Sequence, residues 1–307
     1  METGWEVFVP PFLLKNMSNR KTATTIDEQL ALLQARGMVI ADTNHARNIL
    51  SSVGYFRMGF YWYCFEIQKK RKKGIHKFRR DTTWEKVEAL YNFDDRFRNL
   101  LSFYLQTIET DIRTSITYIV SNHYKTDPIW FVNQACVGGT FISEFIAGYP
   151  KIRWNNEVIR KHHRKHPEDT YAPAWKTLEF LTFGEVQHLY LNILDEPLRQ
   201  HIFSRYNITE ENVFKSYIDI LRIIRNVCAH SHILYDKRLY DGIVGRHDLL
   251  GLETGEEFSI VGILKLIYYM LRQIDPDKEI EMRNSLRALV NQVEYDSVRF
   301  AISRLAL

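Results

Sequence analysis

Arg225 and His230 stand five residues apart in the stretch "RNVCAH", with Asn226 beside the arginine. Those residue types suit chemistry at a phosphodiester. To cut RNA, a base takes the proton from a ribose 2′-OH, the freed oxygen attacks the adjacent phosphorus, and charge builds on the phosphoryl oxygens. Histidine titrates in the right range to act as that base or as the matching acid. Arginine stays charged and offers a planar fork to two phosphate oxygens. Such a reaction requires no metal. The same residues can equally end a helix, with Asn226 capping the next segment and His230 complementing the helix dipole. The pair alone does not choose between these.

The elements around the pair must position it. On a helical wheel of about 100° per residue, Val213, Tyr217, Ile220, Leu221, Ile223, Ile224, Val227 and Cys228 fill one broad apolar side. Lys215, Asp219, Arg222, Asn226 and Ala229 lie opposite. Arg225 and His230 fall about 140° apart at the edges of the polar side, with the small Ala229 between them. One helix closes poorly around one phosphate at that spread. Either the helix is distorted at this end, or a second copy completes the site across a two-fold axis. Thr209 is the expected N-cap of this helix, with Glu210 and Glu211 in its first turn.

Most of the remaining chain also reads as helix. Thr25 and Glu28 form a capping box ahead of "IDEQLALLQAR", and Gly37 suits a left-handed helix end. Asp42 or Thr43 opens a second helix that stops at Gly54. "YFRMGFYWYCFEIQ" is dense in aromatics and reads as helix or strand, with its rings in the core. From Thr82 a long amphipathic run carries Leu101, Leu105, Ile108, Ile112, Ile116 and Ile119 at helical spacing, with a break expected near Asn92. "APAWKTLEF" and "GEVQHLYLNIL" are helices divided at Gly184, residues 240–257 are a loop, and Phe258 to Ile274 and Asp277 to Leu305 form a helical tail. An all-α fold is predicted: a small, mostly helical N-terminal region over residues 1–80, then a helical domain over 81–307.

Composition narrows the function classes. A chain of 307 residues with 45% hydrophobic content folds around a core. The net charge is only +4, but it is concentrated. Residues 69–80, "KKRKKGIHKFRR", hold eight Lys or Arg and no acid: Lys69, Lys70, Arg71, Lys72, Lys73, Lys77, Arg79 and Arg80. Residues 151–166 hold six Lys or Arg and three His against one Glu, with Arg160, Lys161, Arg164 and Lys165 clustered. Two such runs suggest a polyanion partner, and Trp154 beside the second suits contact with RNA bases. His162, His163 and His166 lack Cys or acid neighbours at ligand spacing, so a solvated basic face is expected and no metal site. Three cysteines without metal or redox spacing fit a reducing cytoplasm. Neither a signal peptide nor a membrane span is read, and no cofactor motif is found.

"RNVCAHSHILYD" (225–236) resembles the RN-x-CAH signature of bacterial abortive-infection (Abi) proteins of the AbiD and AbiF type. "APAWKTLEFLTFGEV" (172–186) is similar to the same family's P-x-W-x-x-x-E-x-x-(S/T)-F-G segment. "TIDEQLALLQARGMVI" with "ARNILSSVGYFRMGFYWYCF" resembles its N-terminal region, and "LLSFYLQTIETDIRTSI" its central helix. The resemblance runs in order from about Ile26 to Arg238. It implies the HEPN group of helical ribonucleases, whose signature residues fall here on Arg225, Asn226 and His230. It further implies a bundle with a site paired across a homodimer, metal-free cleavage leaving a 2′,3′-cyclic phosphate, a role in phage defence, and kinship with type VI CRISPR effectors. A structured non-coding RNA as a toxin–antitoxin partner in a ribonucleoprotein, in the bacterial cytoplasm, is implied as well. Many members carry a second histidine next to the first; here Ser231 comes next, and His232 stands one place further on.

Glu109 and Arg113, four apart on the central helix, read as an intrahelical ion pair. In the family's bundle they would face the catalytic helix and orient Arg225 or Asn226. Two further functions fit the residues. One is an RNA-binding scaffold whose own cleavage is weak. The other is a helical DNA-binding regulator working through residues 25–80.

Overall fold

A computed structural model describes residues 22–67, 77–245 and 247–306. Helices dominate, joined by short turns; among the described residues strand-like pairing is confined to isolated bridges, with no sheet. The all-α expectation holds. The chain divides into two compact units, Met1–Glu88 and Ala89–Leu307.

In the smaller unit, α1 (Ile26–Ala35) carries the expected capping box at Thr25 and Glu28. The amide of Gly37, at φ +98°, bonds Gln34, and Met38 bonds Leu33, so the glycine takes the left-handed place that closes the helix. Asp42 caps α2 (Thr43–Val53) through the amide of His45. The aromatic stretch is helical: α3 (Tyr55–Trp62) runs into a 3-10 turn, Tyr63–Phe65. Its burial decides the period. Met58, Tyr61, Trp62 and Phe65 are buried, whereas Phe56, Phe60 and Tyr63 are exposed, so only one face belongs to the core.

In the larger unit the longest element is α4 (Trp84–His123), 40 residues long, whose first turn still belongs to the smaller unit. It does not break near Asn92. That residue is exposed, and Leu90, Phe93, Phe97 and Leu101 carry the buried stripe past it. The stripe continues through Leu105, Ile108, Ile112 and Ile116 and ends on Val120; Ile119 is only half-buried. Each fully buried Leu, Ile or Phe stabilises by roughly 1.5–3 kcal/mol, far above the few tenths that Asn costs in an exposed helical position.

After α4 come α5 (Gly139–Asn155), α6 (Glu157–Lys165), the single turn α7 (Ala174–Thr177) with a 3-10 turn at Leu178–Phe180, α8 (Phe183–Asn192) and α9 (Glu196–Ser204). Gly184 lies inside α8, whose start is a second capping box, Thr182 with Glu185. Next is α10 (Glu211–Ala229), the helix of the Arg225 and His230 pair. It begins one residue later than expected. Glu210, extended at φ −120°, is the N-cap and makes no side-chain cap bond, while Glu211 pairs with Arg199 and Lys215. The chain closes with α11 (His247–Leu250), α12 (Ile260–Ile274), α13 (Pro276–Asn291) and α14 (Asp296–Ile302). Lys265 of the apolar α12 bonds Glu256, and among the described residues no helix is long and apolar enough to cross a membrane.

Candidate active site

The apolar face of α10 is buried as its periodicity predicts, from Val213 and Phe214 to Val227 and Cys228, with Ile223 half-buried at its edge. The helix stops at Ala229, so the chain leaves it at the histidine itself. His230 is the C-cap, Ser231 turns left-handed at φ +54°, and His232 comes next. The Ser231 amide bonds the Cys228 carbonyl (3.2 Å), and the His232 amide bonds Val227 (2.9 Å). This is a Schellman closure with serine where glycine is usual. His230 and His232 are both exposed, their ring centroids 6.1 Å apart. Cys228 is buried between the signature residues, and burial pushes its thiol up to about 12. It stays a neutral packing group.

Arg225 is held from α4. Its Nε donates to Glu109 Oε2 at 3.2 Å, while Arg113 Nη2 donates to Glu109 Oε1 at 2.6 Å and to the Leu181 carbonyl at 3.1 Å. Glu109 is therefore both the partner of Arg113 within α4 and the bridge to α10. Its side chain is 9% exposed and that of Arg113 11%, against 39% for Arg225. A buried carboxylate needs such partners to stay charged. Arg225 engages it through Nε alone, leaving Nη1 and Nη2 without a partner among the described residues. The half-buried Asn226 contributes its carbonyl to the His230 amide (2.9 Å).

A second anchor was not foreseen from the sequence. Asp94, fully buried on α4, accepts from Arg98 Nη1 (2.5 Å) and from the amides of Leu234 (3.2 Å) and Tyr235 (2.7 Å). Arg98 also reaches the His232 carbonyl at 3.4 Å. One buried ion pair thus fixes the segment directly after the two histidines. Its signal was present: Asp94 and Arg98 interrupt the apolar stripe of Leu90, Phe93, Phe97 and Leu101 at positions that face the core.

The basic segments fare differently. Lys69, Lys70, Arg71, Lys72 and Lys73 lie outside the described residues. Lys77, Arg79 and Arg80 are exposed, and Arg79 donates to the Cys64 carbonyl. On α6, Arg160 (2.7 Å) and Arg164 (2.7 Å) both grip Glu157, and their hydrogen bonds hold its carboxyl down to about 2. Lys161 and Lys165 are exposed. The expectation of a wholly solvated face is wrong for two histidines. His162 and His163 share the side of α6 that buries Ile159. His163 Nε2 pairs with the Tyr149 hydroxyl at 2.9 Å, and His162 Nε2 with Asp169 at 2.9 Å. Burial, helped by nearby Arg153 and His162, lowers the pKa of His163. Among the described residues no cluster of three or more His, Cys, Asp or Glu could hold a metal ion.

A family model described as Abi-like protein matches residues 48–236, more than half of the chain, and that span contains the α10 pair, Glu109, Arg113 and Asp94. No curated protein matches the chain, nor does any solved structure.

Proposed function

The chain belongs to the Abi-like protein family, which points to an abortive-infection role, and from that premise we propose that it is a metal-independent endoribonuclease of the HEPN kind, of the AbiD or AbiF type, whose site is the C-terminal end of α10. One observation carries the proposal. Arg225 is held at Nε by a buried carboxylate, keeps both terminal nitrogens open, and stands on the same helix end as the exposed His230.

His230 takes the 2′-OH proton, and the 2′-oxygen attacks phosphorus. Arg225 binds the phosphoryl oxygens as charge develops on them. The P–O5′ bond breaks, leaving a 2′,3′-cyclic phosphate, and the departing 5′-oxygen takes a proton from a second histidine. His232 or the same helix end of a second copy supplies that group. Asn226 positions the pair. A structured non-coding RNA bound by the basic segments restrains the enzyme until phage infection. The test is to express the chain, sequence the RNA that copurifies with it, and map RNA ends. Cyclic-phosphate ends that vanish in His230→Ala are expected. Bound RNA with no new ends under any condition would instead favour an RNA-binding scaffold, and neither bound RNA nor new ends would exclude both.

A further inference from the structure

Two surface pockets of the larger unit combine exposed aromatic rings with polar side chains, and they differ in charge. One is lined by Arg153, Trp154, Arg160 and Arg164, and two of its three arginines are already occupied by Glu157. The other lies between α4 and α7 and is lined by Thr117, Tyr118, Asn122, Trp175 and Glu179 among its residues. Its lining holds no Lys, Arg or His. The rings are the unusual part: Tyr118 is 68% exposed and Trp175 57%. A tryptophan forgoes a large hydrophobic gain when left in water; Trp62, Trp84 and Trp130 are buried, and only Trp154 of the first pocket shares this exposure among the described tryptophans.

This second pocket adjoins the candidate active site through named bonds. Arg113, which shares Glu109 with Arg225, donates to the carbonyl of Leu181, two residues after Glu179. Along α4, Thr117 is two turns beyond Glu109, the partner of Arg225, about 12 Å at about 1.5 Å per residue. A strand whose phosphate sits at Arg225 therefore passes within reach of the pocket. A phosphate has no cation to meet there, and a carboxylate to repel it. A nucleobase meets two rings for stacking, hydroxyl and amide groups for its edge, and Glu179 as an acceptor for base N–H donors.

We infer that the pocket between Tyr118 and Trp175 is a base-binding subsite for an unpaired nucleotide of single-stranded RNA beside the scissile phosphate. The inference rests on the ribonuclease proposed above for its substrate, but it is tested by binding. Full-length protein carrying His230→Ala, which leaves RNA intact, is titrated with a short unstructured RNA while tryptophan fluorescence is followed. Binding with quenching is expected. Adding Trp175→Ala should weaken binding by about 5- to 100-fold without lowering the melting temperature. Trp175→Phe should keep most of the affinity while losing most of the quenching, because the ring remains and the indole is gone.

Removing one base from the oligonucleotide should cost the parent as much as Trp175→Ala does, and should cost the Trp175→Ala variant little more. Equal affinity of parent and Trp175→Ala overturns the subsite, as does absence of RNA binding. The ribonuclease is judged apart, on protein that keeps His230. Cleavage ends from a chain whose binding ignores Trp175 would sink the subsite and spare the enzyme; ring-dependent binding with no cleavage would do the reverse.

Discussion

Two arginine- and histidine-rich stretches, α6 and the end of α10, look alike in sequence and are treated oppositely by the fold. On α6 the charge density is higher. Yet Glu157 takes both of its arginines, and His162 and His163 turn inward to Asp169 and Tyr149. At the end of α10 there are fewer cations, and they are held from beneath. Glu109 fixes Arg225, the Asp94–Arg98 pair fixes the segment after His230, and the groups suited to phosphate chemistry stay accessible. Counting charges finds polyanion surfaces; it does not find sites. A site needs reactive groups left open and a buried shell that spends its own polar capacity on holding them.

The largest expected effect tests that contrast at Arg225. Arg225→Ala should lower cleavage by about 10²- to 10³-fold, the loss typical of one charge-stabilising donor, with a drop in stability smaller than that of Glu109→Gln, since the buried Glu109 keeps Arg113 as its partner. Arg225→Lys should restore only part, because an ammonium cannot engage Glu109 and a phosphate as a planar fork does. Removing both Arg160 and Arg164 should leave the cleavage rate at saturating RNA within a few-fold of wild type. An equal loss from the two sets of arginines would break the distinction between the regions.

The buried anchors should announce themselves in stability. Asp94→Ala takes from the buried Arg98 its buried carboxylate, leaving it Asp95 and the His232 carbonyl, and strips two amides of their acceptor; it should cost about 3 kcal/mol in chemical denaturation. Glu109→Gln leaves Arg113 and Arg225 without their carboxylate. Because Arg225 is partly in water, a smaller cost, about 2–3 kcal/mol, is expected, together with a cleavage defect milder than that of Arg225→Ala. A Glu109→Gln protein as stable as wild type would mean that the bridge to α10 contributes nothing to the fold.

How much of this was legible depends on the same physics. The periodicity of α10, the capping boxes and the long stripe of α4 depend on local spacing, and the sequence carries them openly. The pairing of Glu109 with Arg113 was legible too, and the resemblance directed attention from that pair towards Arg225. Asp94 was overlooked because an i,i+4 acid–base pair reads as a surface ion pair until the burial of its neighbours is known. His162 and His163 were misassigned for the converse reason. Their spacing from the buried Ile159 marked them as inward-facing, but the surrounding lysines and arginines dominated the composition. Where helices meet depends on contacts between distant residues, such as Arg225 with Glu109, and no local pattern specifies these.

His163 gives α6 a pH signature. The folded pKa of His163 lies below its ordinary value of 6.5, so the unfolded chain binds the proton more readily. Its contribution to stability is complete above about pH 6.5, declines as pH falls through that value, and levels off below the lowered folded pKa. The melting temperature of wild type should therefore drop more steeply from pH 7 towards pH 5 than that of His163→Gln. Parallel curves would return His163 to the solvated face.

The smallest effect is expected at Glu157. Glu157→Gln frees the exposed Arg164 and loosens the half-buried Arg160, which keeps the Trp154 carbonyl, so affinity for RNA at low salt should rise modestly with little change in stability; an unchanged affinity would remove α6 from the RNA-binding surface.

The most direct measurement is cleavage of a single-stranded RNA by the purified chain in excess chelator, comparing wild type, Arg225→Ala, His230→Ala and the Arg160→Ala, Arg164→Ala pair. Cyclic-phosphate products from wild type and the α6 variant, and from neither α10 variant, are expected. Cleavage that survives loss of His230, or that requires a metal ion, would contradict a ribonuclease built on the end of α10.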